Sequence, residues 1–164
     1  MAKIESDQPL IPSVLDRLLD DRPTASRDAP KTRNQTLRDL KRSVRRDLEN
    51  LLNTRWRCTT WPENLEELEL SLVNYGIPDV TGADLSTAGK RQAFLRTVER
   101  VIRHFEPRFK NVEVAVLDNA EPLDRTLRFR INAMLRVEPT PEPVVFDSAL
   151  QPVTGNVEIK GTGR

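Results

Sequence analysis

The sequence predicts an α+β fold, with N-terminal helices packed on a small C-terminal antiparallel β-sheet. Apolar residues recur every three or four positions through residues 37–52 and again through 94–105, as in helices that bury one stripe. From Val112 onward the apolar period falls to two, as in strands with one buried face. The helical segments all precede the extended ones, an order that places helices on one face of a sheet.

Residues 1–34 contain Pro9, Pro12, Pro23 and Pro30 and read as a tail. The tail carries one short amphipathic helix in "SVLDRLLDD", where Val14, Leu15, Leu18 and Leu19 share a face. Two turns of helix are marginal alone in water, so this one forms against its own domain or against another protein. The segment "TLRDLKRSVRRDLENLLN" is a long helix striped by Leu37, Leu40, Val44, Leu48, Leu51 and Leu52, with Thr36 and Asp39 placed as a capping box. Its polar face holds Lys41, Arg42, Arg45 and Arg46 among Asp39, Asp47 and Glu49, which makes it a solvated, internally paired face rather than a phosphate site. Trp56 and Trp61 fall in an irregular stretch, "YGIP" reads as a turn, and Leu65, Leu68 and Leu72 suit a short helix.

A second long helix is expected from Ser86, striped by Phe94, Leu95, Val98, Val101, Ile102 and Phe105. It must end near Phe105, because Pro107 cannot extend the helix and pushes Glu106 out of the α region. Val112, Val114 and Val116 then alternate as one strand, and Leu127, Phe129, Ile131 and Ala133 as a second, with "DNAEPLDR" as their hairpin. "VEPTPEPVVF" should be extended and stiff, while "VVFDSAL" and "GNVEIK" supply one or two further short strands.

At 164 residues and 37% hydrophobic content the chain suffices for one domain, assigned to residues 35–160, with a disordered end at 161–164. Twenty-six basic against 25 acidic residues leave a net charge of +1, which directs the protein to neither nucleic acid nor an anionic membrane. Aromatics at 5% argue against a base- or sugar-stacking platform. Six glycines form no phosphate loop, and the single histidine, His104, rules out a histidine-based metal cluster; Cys58 has no partner for a disulfide or a CxxC pair. No metal or cofactor is expected. The start "MAKIESDQPLIPS" lacks a signal-peptide pattern, and no window approaches the roughly 20 apolar residues of a membrane span, so the cytoplasm is the expected compartment.

The stretch "HFEPRFKNVEV" (104–114) carries the most chemical information. A helix C-terminus bears partial negative charge, so Glu106 is disfavoured there unless partnered. Arg108 lies two residues on across a stiffening proline, and Arg103 lies one turn back. A held carboxylate–guanidinium pair competes here with a plain helix stop whose surface charges contribute about 0–1 kcal/mol.

Phe105-Glu106-Pro107-Arg108, closing a helix before a valine-alternating strand, resembles the "EPR" signature of the phage baseplate wedge family, whose bacterial branch is the type VI secretion subunit TssE. "SVLDRLLDD", "DLENLLNTR", "SLVNYGIPD" and "VVFDSALQPVTGNVEI" agree in order and position, so the resemblance spans about residues 13–160. It implies a structural protein that joins the baseplate wedge with TssF, TssG and TssK at the inner face of the cytoplasmic membrane. There it starts polymerisation of the contractile sheath of TssB and TssC. Glu106, Pro107 and Arg108 become the sheath-facing element, with the charged pair desolvated in the assembled interface. Leu15, Leu18 and Leu19 are assigned to the wedge contact, as the apolar face of a helix for a partner's groove. No catalytic residue is implied.

The family has also carried a lysozyme-like label, which makes glycoside hydrolysis the alternative, with Glu106 beside Glu113 or Asp118. That chemistry needs two carboxyl groups about 5 to 9.5 Å apart, one of them kept protonated by an apolar pocket. A guanidinium next to Glu106 favours the ionised form instead.

Overall fold

The structure is a computed structural model and describes residues 13–19, 23–24, 31–56, 62, 64–68, 71–81, 84–119 and 124–161. Cys58, Trp61, residues 120–123 of the expected hairpin and residues 162–164 of the expected disordered end lie outside them, whereas Gly161, expected in that end, closes the last strand. Helix α1 is Val14–Leu18, capped by the Ser13 hydroxyl, which accepts from the Asp16 N–H at 3.2 Å. Helix α2 is Arg33–Asn53 and starts a turn earlier than the Thr36–Asp39 pattern suggests. Its capping box is Thr32 with Gln35, whose side-chain oxygen accepts the Thr32 N–H at 2.8 Å. Thr36 is instead buried within the helix, its hydroxyl donating to the Thr32 carbonyl at 3.2 Å. The stripe forms as expected: Val44, Leu48, Leu51 and Leu52 are buried, and Leu37 and Leu40 pack partly against them.

Between α2 and the next helix, Leu65, Leu68 and Leu72 do not line one helix. Two 3-10 turns, Glu66–Leu68 and Leu72–Asn74, stand there, and Leu72 is 82% exposed. Ser71 separates them: its hydroxyl donates to the Leu68 carbonyl at 2.8 Å and caps the second turn. The "YGIP" turn holds Gly76 at φ +114°, and a Cβ there would run into the Thr54 carbonyl. The close approach lets Arg55 and Ile77 form a parallel bridge, while the Trp56 indole N–H donates to the Gly76 carbonyl at 2.6 Å.

Helix α3 is Ala88–Phe105, capped by Thr87, with Leu95, Val98, Val101 and Ile102 buried. The sheet is a meander of β1 (Phe109–Leu117), β2 (Leu127–Leu135), β3 (Glu142–Leu150) and β4 (Val157–Gly161), ordered β1-β2-β3-β4 and antiparallel throughout. Val114 pairs with Ile131, Ile131 with Phe146, and Leu150 with Val157. The proline-rich stretch is not one stiff segment. It bends at residues 138–140, where the Glu138–Pro139 bond is cis, and β3 starts at Glu142.

Helix α3 lies along β1 and α2 along β4, on the same face of the sheet. Val112, Val114, Phe129, Ile131, Val144, Phe146 and Ile159 meet Val44, Leu48, Leu95 and Ile102 in one core. Each such side chain contributes about 1.5–3 kcal/mol by leaving water. The opposite face carries polar pairs such as Arg130–Asp147 at 2.6 Å. Among the described residues no helix is long and apolar enough to cross a membrane.

Candidate functional site

Helix α3 ends as its sequence requires. Glu106 is the C-cap, its N–H donating to the Ile102 carbonyl at 2.9 Å, and its backbone at φ −119° has left the helix ahead of Pro107. The Phe109 N–H returns to the Glu106 carbonyl at 3.2 Å, and the Arg136 N–H holds the Arg108 carbonyl at 2.8 Å. The turn between helix and sheet is thus fixed from both sides.

Within this turn Glu106 is buried, only 5% exposed. Arg108 supplies its partner: Nε donates to Glu106 Oε1 at 2.6 Å, and Nη2 reaches Oε2 to complete a bidentate pair. The Arg108 N–H adds a contact to Oε1 at 3.3 Å. The partner is therefore Arg108 and not Arg103. The desolvation that the sequence reading assigned to an assembled interface is already present within the chain.

The pair is one end of a longer chain of charges. Arg108 Nη2 also donates to Asp47 Oδ2 at 2.7 Å, and its Nη1 to Ser43 Oγ at 3.3 Å. Arg46 binds Asp47 Oδ1 at 2.9 Å and Asp16 Oδ1 at 3.1 Å, and Ser43 donates to Asp16 Oδ2 at 2.7 Å. Acid and base alternate from Glu106 through Arg108, Asp47 and Arg46 to Asp16, so α1, α2 and the α3–β1 turn share one network. Burial opposes the charge on Arg108, but the Glu106 and Asp47 carboxylates outweigh it and raise the guanidinium pKa. Burial first, then the Asp47 and Glu106 charges, push the Tyr75 phenol up.

Asp16 is the polar side of α1 turned inward. Its apolar side faces out: Leu15 is 51%, Leu18 75% and Leu19 53% exposed. A cavity of about 420 Å³ opens between Leu15 and the turn, lined by Leu51, Tyr75, Phe105, Pro107 and Arg108. Leu15 and the Glu106–Arg108 turn, both singled out from the sequence, therefore border one hollow, while Leu18 and Leu19 lie outside it. Tyr75 and Phe105 meet there edge to face at 5.2 Å.

The residues named for hydrolysis are not gathered. Glu113 is exposed on β1, and Asp118 follows the far end of that strand, roughly 30 Å from its start at about 3.3 Å per residue. Among the described residues no group of His, Cys, Asp and Glu is placed to hold a metal ion. The basic face of α2 is largely paired, Lys41 with Glu142 at 2.9 Å and Arg42 with Asp39 at 3.5 Å. Sequence reasoning missed Asp16, Ser43 and Asp47 as partners of the turn. The available signal was Ser43, a small polar residue beside Val44 at the border of a buried stripe.

The family model described as baseplate wedge protein gp25 matches residues 38–140, from α2 to the β2–β3 turn. No curated protein and no solved structure matches the chain.

Proposed function

Because this chain belongs to the baseplate wedge protein gp25 family, a family of structural phage-like baseplate components, we propose that it serves in a type VI secretion system as the wedge subunit on which the contractile sheath starts to grow. In this reading it is not an enzyme and needs no cofactor. It works in the cytoplasm, within a baseplate held against the inner face of the cytoplasmic membrane.

The observation that carries the reading is the network from Glu106 to Asp16. Glu106 positions the element and Arg108 fixes it, which leaves Pro107 and the outer edge of Arg108, 24% exposed, to meet the sheath subunits TssB and TssC. A contact element clamped by a bidentate pair keeps its shape under load better than a flexible loop. Leu15, Leu18 and Leu19 form the wedge contact, with TssF, TssG and TssK as the available partners. An apolar helix face held by polar bonds behind it suits burial in a partner's groove.

The test is affinity isolation from cross-linked cells, followed by mass spectrometry, comparing wild type with Arg108→Glu and with Leu15→Asp/Leu18→Asp. Wild type should recover wedge and sheath subunits. Arg108→Glu should lose the sheath and keep the wedge, which shows in the same experiment that the variant is folded. The leucine variant should lose the wedge. Wild type recovering neither class of partner would overturn the reading.

A further inference from the structure

Arg103, passed over by Glu106, does something else. Its Nη2 donates to the Val112 carbonyl at 2.9 Å and pairs with Glu99 Oε1, one helical turn back, at 2.7 Å. Glu99 Oε2 accepts the Val114 N–H at 3.2 Å. In an antiparallel ladder the N–H and C=O of one residue point to the same side, and the side alternates along the strand. Val112 and Val114 therefore face away from β2, and Val116 with them; the alternation starts at Asn111, after a bulge at Lys110. The α3 pair sits on the open edge of the sheet.

That edge is the one in need of cover. A long unpaired strand is a template for another chain, and proteins blunt such edges. At the other side β4 has five residues, and both backbone groups of Val157 are taken by Asn53, at 2.8 and 2.9 Å. Where β3 runs on past β4, Pro143 has no N–H to offer. Strand β1 has nine residues and no proline.

We infer that the Glu99–Arg103 pair is a guard that closes β1 to backbone pairing with a second copy of this chain. The occupant follows from the strand itself. Antiparallel pairing about a two-fold axis at Val114 sets Val112 opposite the second copy's Val116 and Glu113 opposite its Ala115. Apolar meets apolar, and no like charges stand opposite each other. This register needs the Val114 N–H for the second copy's Val114 carbonyl and the Val112 carbonyl for its Val116 N–H, the two groups that Glu99 and Arg103 occupy. The guard is separate from the proposed sheath and wedge contacts and stands whether or not they do.

Sedimentation velocity over a concentration series tests it, on wild type, on Glu99→Ala/Arg103→Ala, and on that variant with Val116→Pro added. The double variant should shift toward twice the monomer mass as concentration rises, and wild type should not. Val116→Pro should abolish the shift, because it deletes an outward N–H and leaves the β1–β2 ladder whole. A folded double variant that sediments as wild type overturns the inference, and so does a shift that survives Val116→Pro. Amide exchange in wild type gives a reading that needs no variant to fold: Val114 should exchange slowly and Val116 fast, although both face outward. Equal rates for the two overturn the guard.

Discussion

Glu106 carries a carboxylate into a site that water barely reaches, and Arg108 is the reason it stays there. Removing one partner of such a pair strands the other, which typically costs 3–5 kcal/mol. Because Arg108 keeps some exposure, Arg108→Ala should cost about 3 kcal/mol in urea unfolding, and adding Glu106→Gln should recover part of it, since a neutral amide is cheaper to leave unpaired. Ser148 is the opposite case: it is buried at 4% exposure, and its hydroxyl has no hydrogen-bond partner among the described residues. Ser148→Ala should therefore leave stability unchanged or raise it by up to about 1 kcal/mol in the same measurement. Gly76→Ala places a side chain at a φ that L residues avoid and against the Thr54 carbonyl, so a loss of at least about 1–3 kcal/mol is expected. At this scale the sequence shows that Glu106 needs a base and offers two. The choice rests on where Asp47 and Ser43 lie, and spacing along the chain does not carry that.

Helix α1 shows how an element of five residues is held. Burial opposes ionisation of Asp16, but hydrogen bonds from Ser13 and Ser43 and the Arg46 charge outweigh it, so the carboxyl sits below its ordinary 3.8. A depressed folded-state pKa contributes stability that is complete above the unfolded value and is lost as pH falls through the folded one. Docking of α1 should accordingly hold above pH 3.8 and be lost as pH falls through the lower folded-state value, with Leu15 and Leu18 methyl shifts moving together with the Asp16 carboxyl resonance in an NMR titration. A docking signal that falls away well above pH 3.8 would show that another group holds the helix. Elements with a strong period were legible: α2, α3 and the strands stand where Leu48, Ile102, Val114 and Phe129 put them. The start of α2 was misread because Thr36 imitates a cap that Thr32 and Gln35 make. The leucines at 65, 68 and 72 imitate a stripe that Ser71 interrupts, and the prolines at 139 and 141 turn the chain where an extended run was expected.

Across the whole molecule, the core and the proposed wedge contact are made of different residues, whereas Arg108 serves both stability and the proposed sheath contact. The core lies between the helices and one sheet face, whereas Leu15, Leu18 and Leu19 stand outside it. Leu15→Asp/Leu18→Asp should leave the melting temperature within a degree or two of wild type, since surface changes stay within about ±0.5 kcal/mol, while removing the wedge from the isolated complex. Arg108→Glu should lower the melting temperature and remove the sheath together. Asn53 has a different consequence, one of timing. It closes α2 and binds both backbone groups of Val157, a residue 104 positions later. At 5–20 residues per second a ribosome needs roughly 5 to 20 s to cover that distance. Throughout that interval the leucines of α2 have been synthesised and the strand that covers them has not. For those seconds the nascent chain exposes apolar surface that the finished fold buries, the condition under which chains aggregate or engage chaperones.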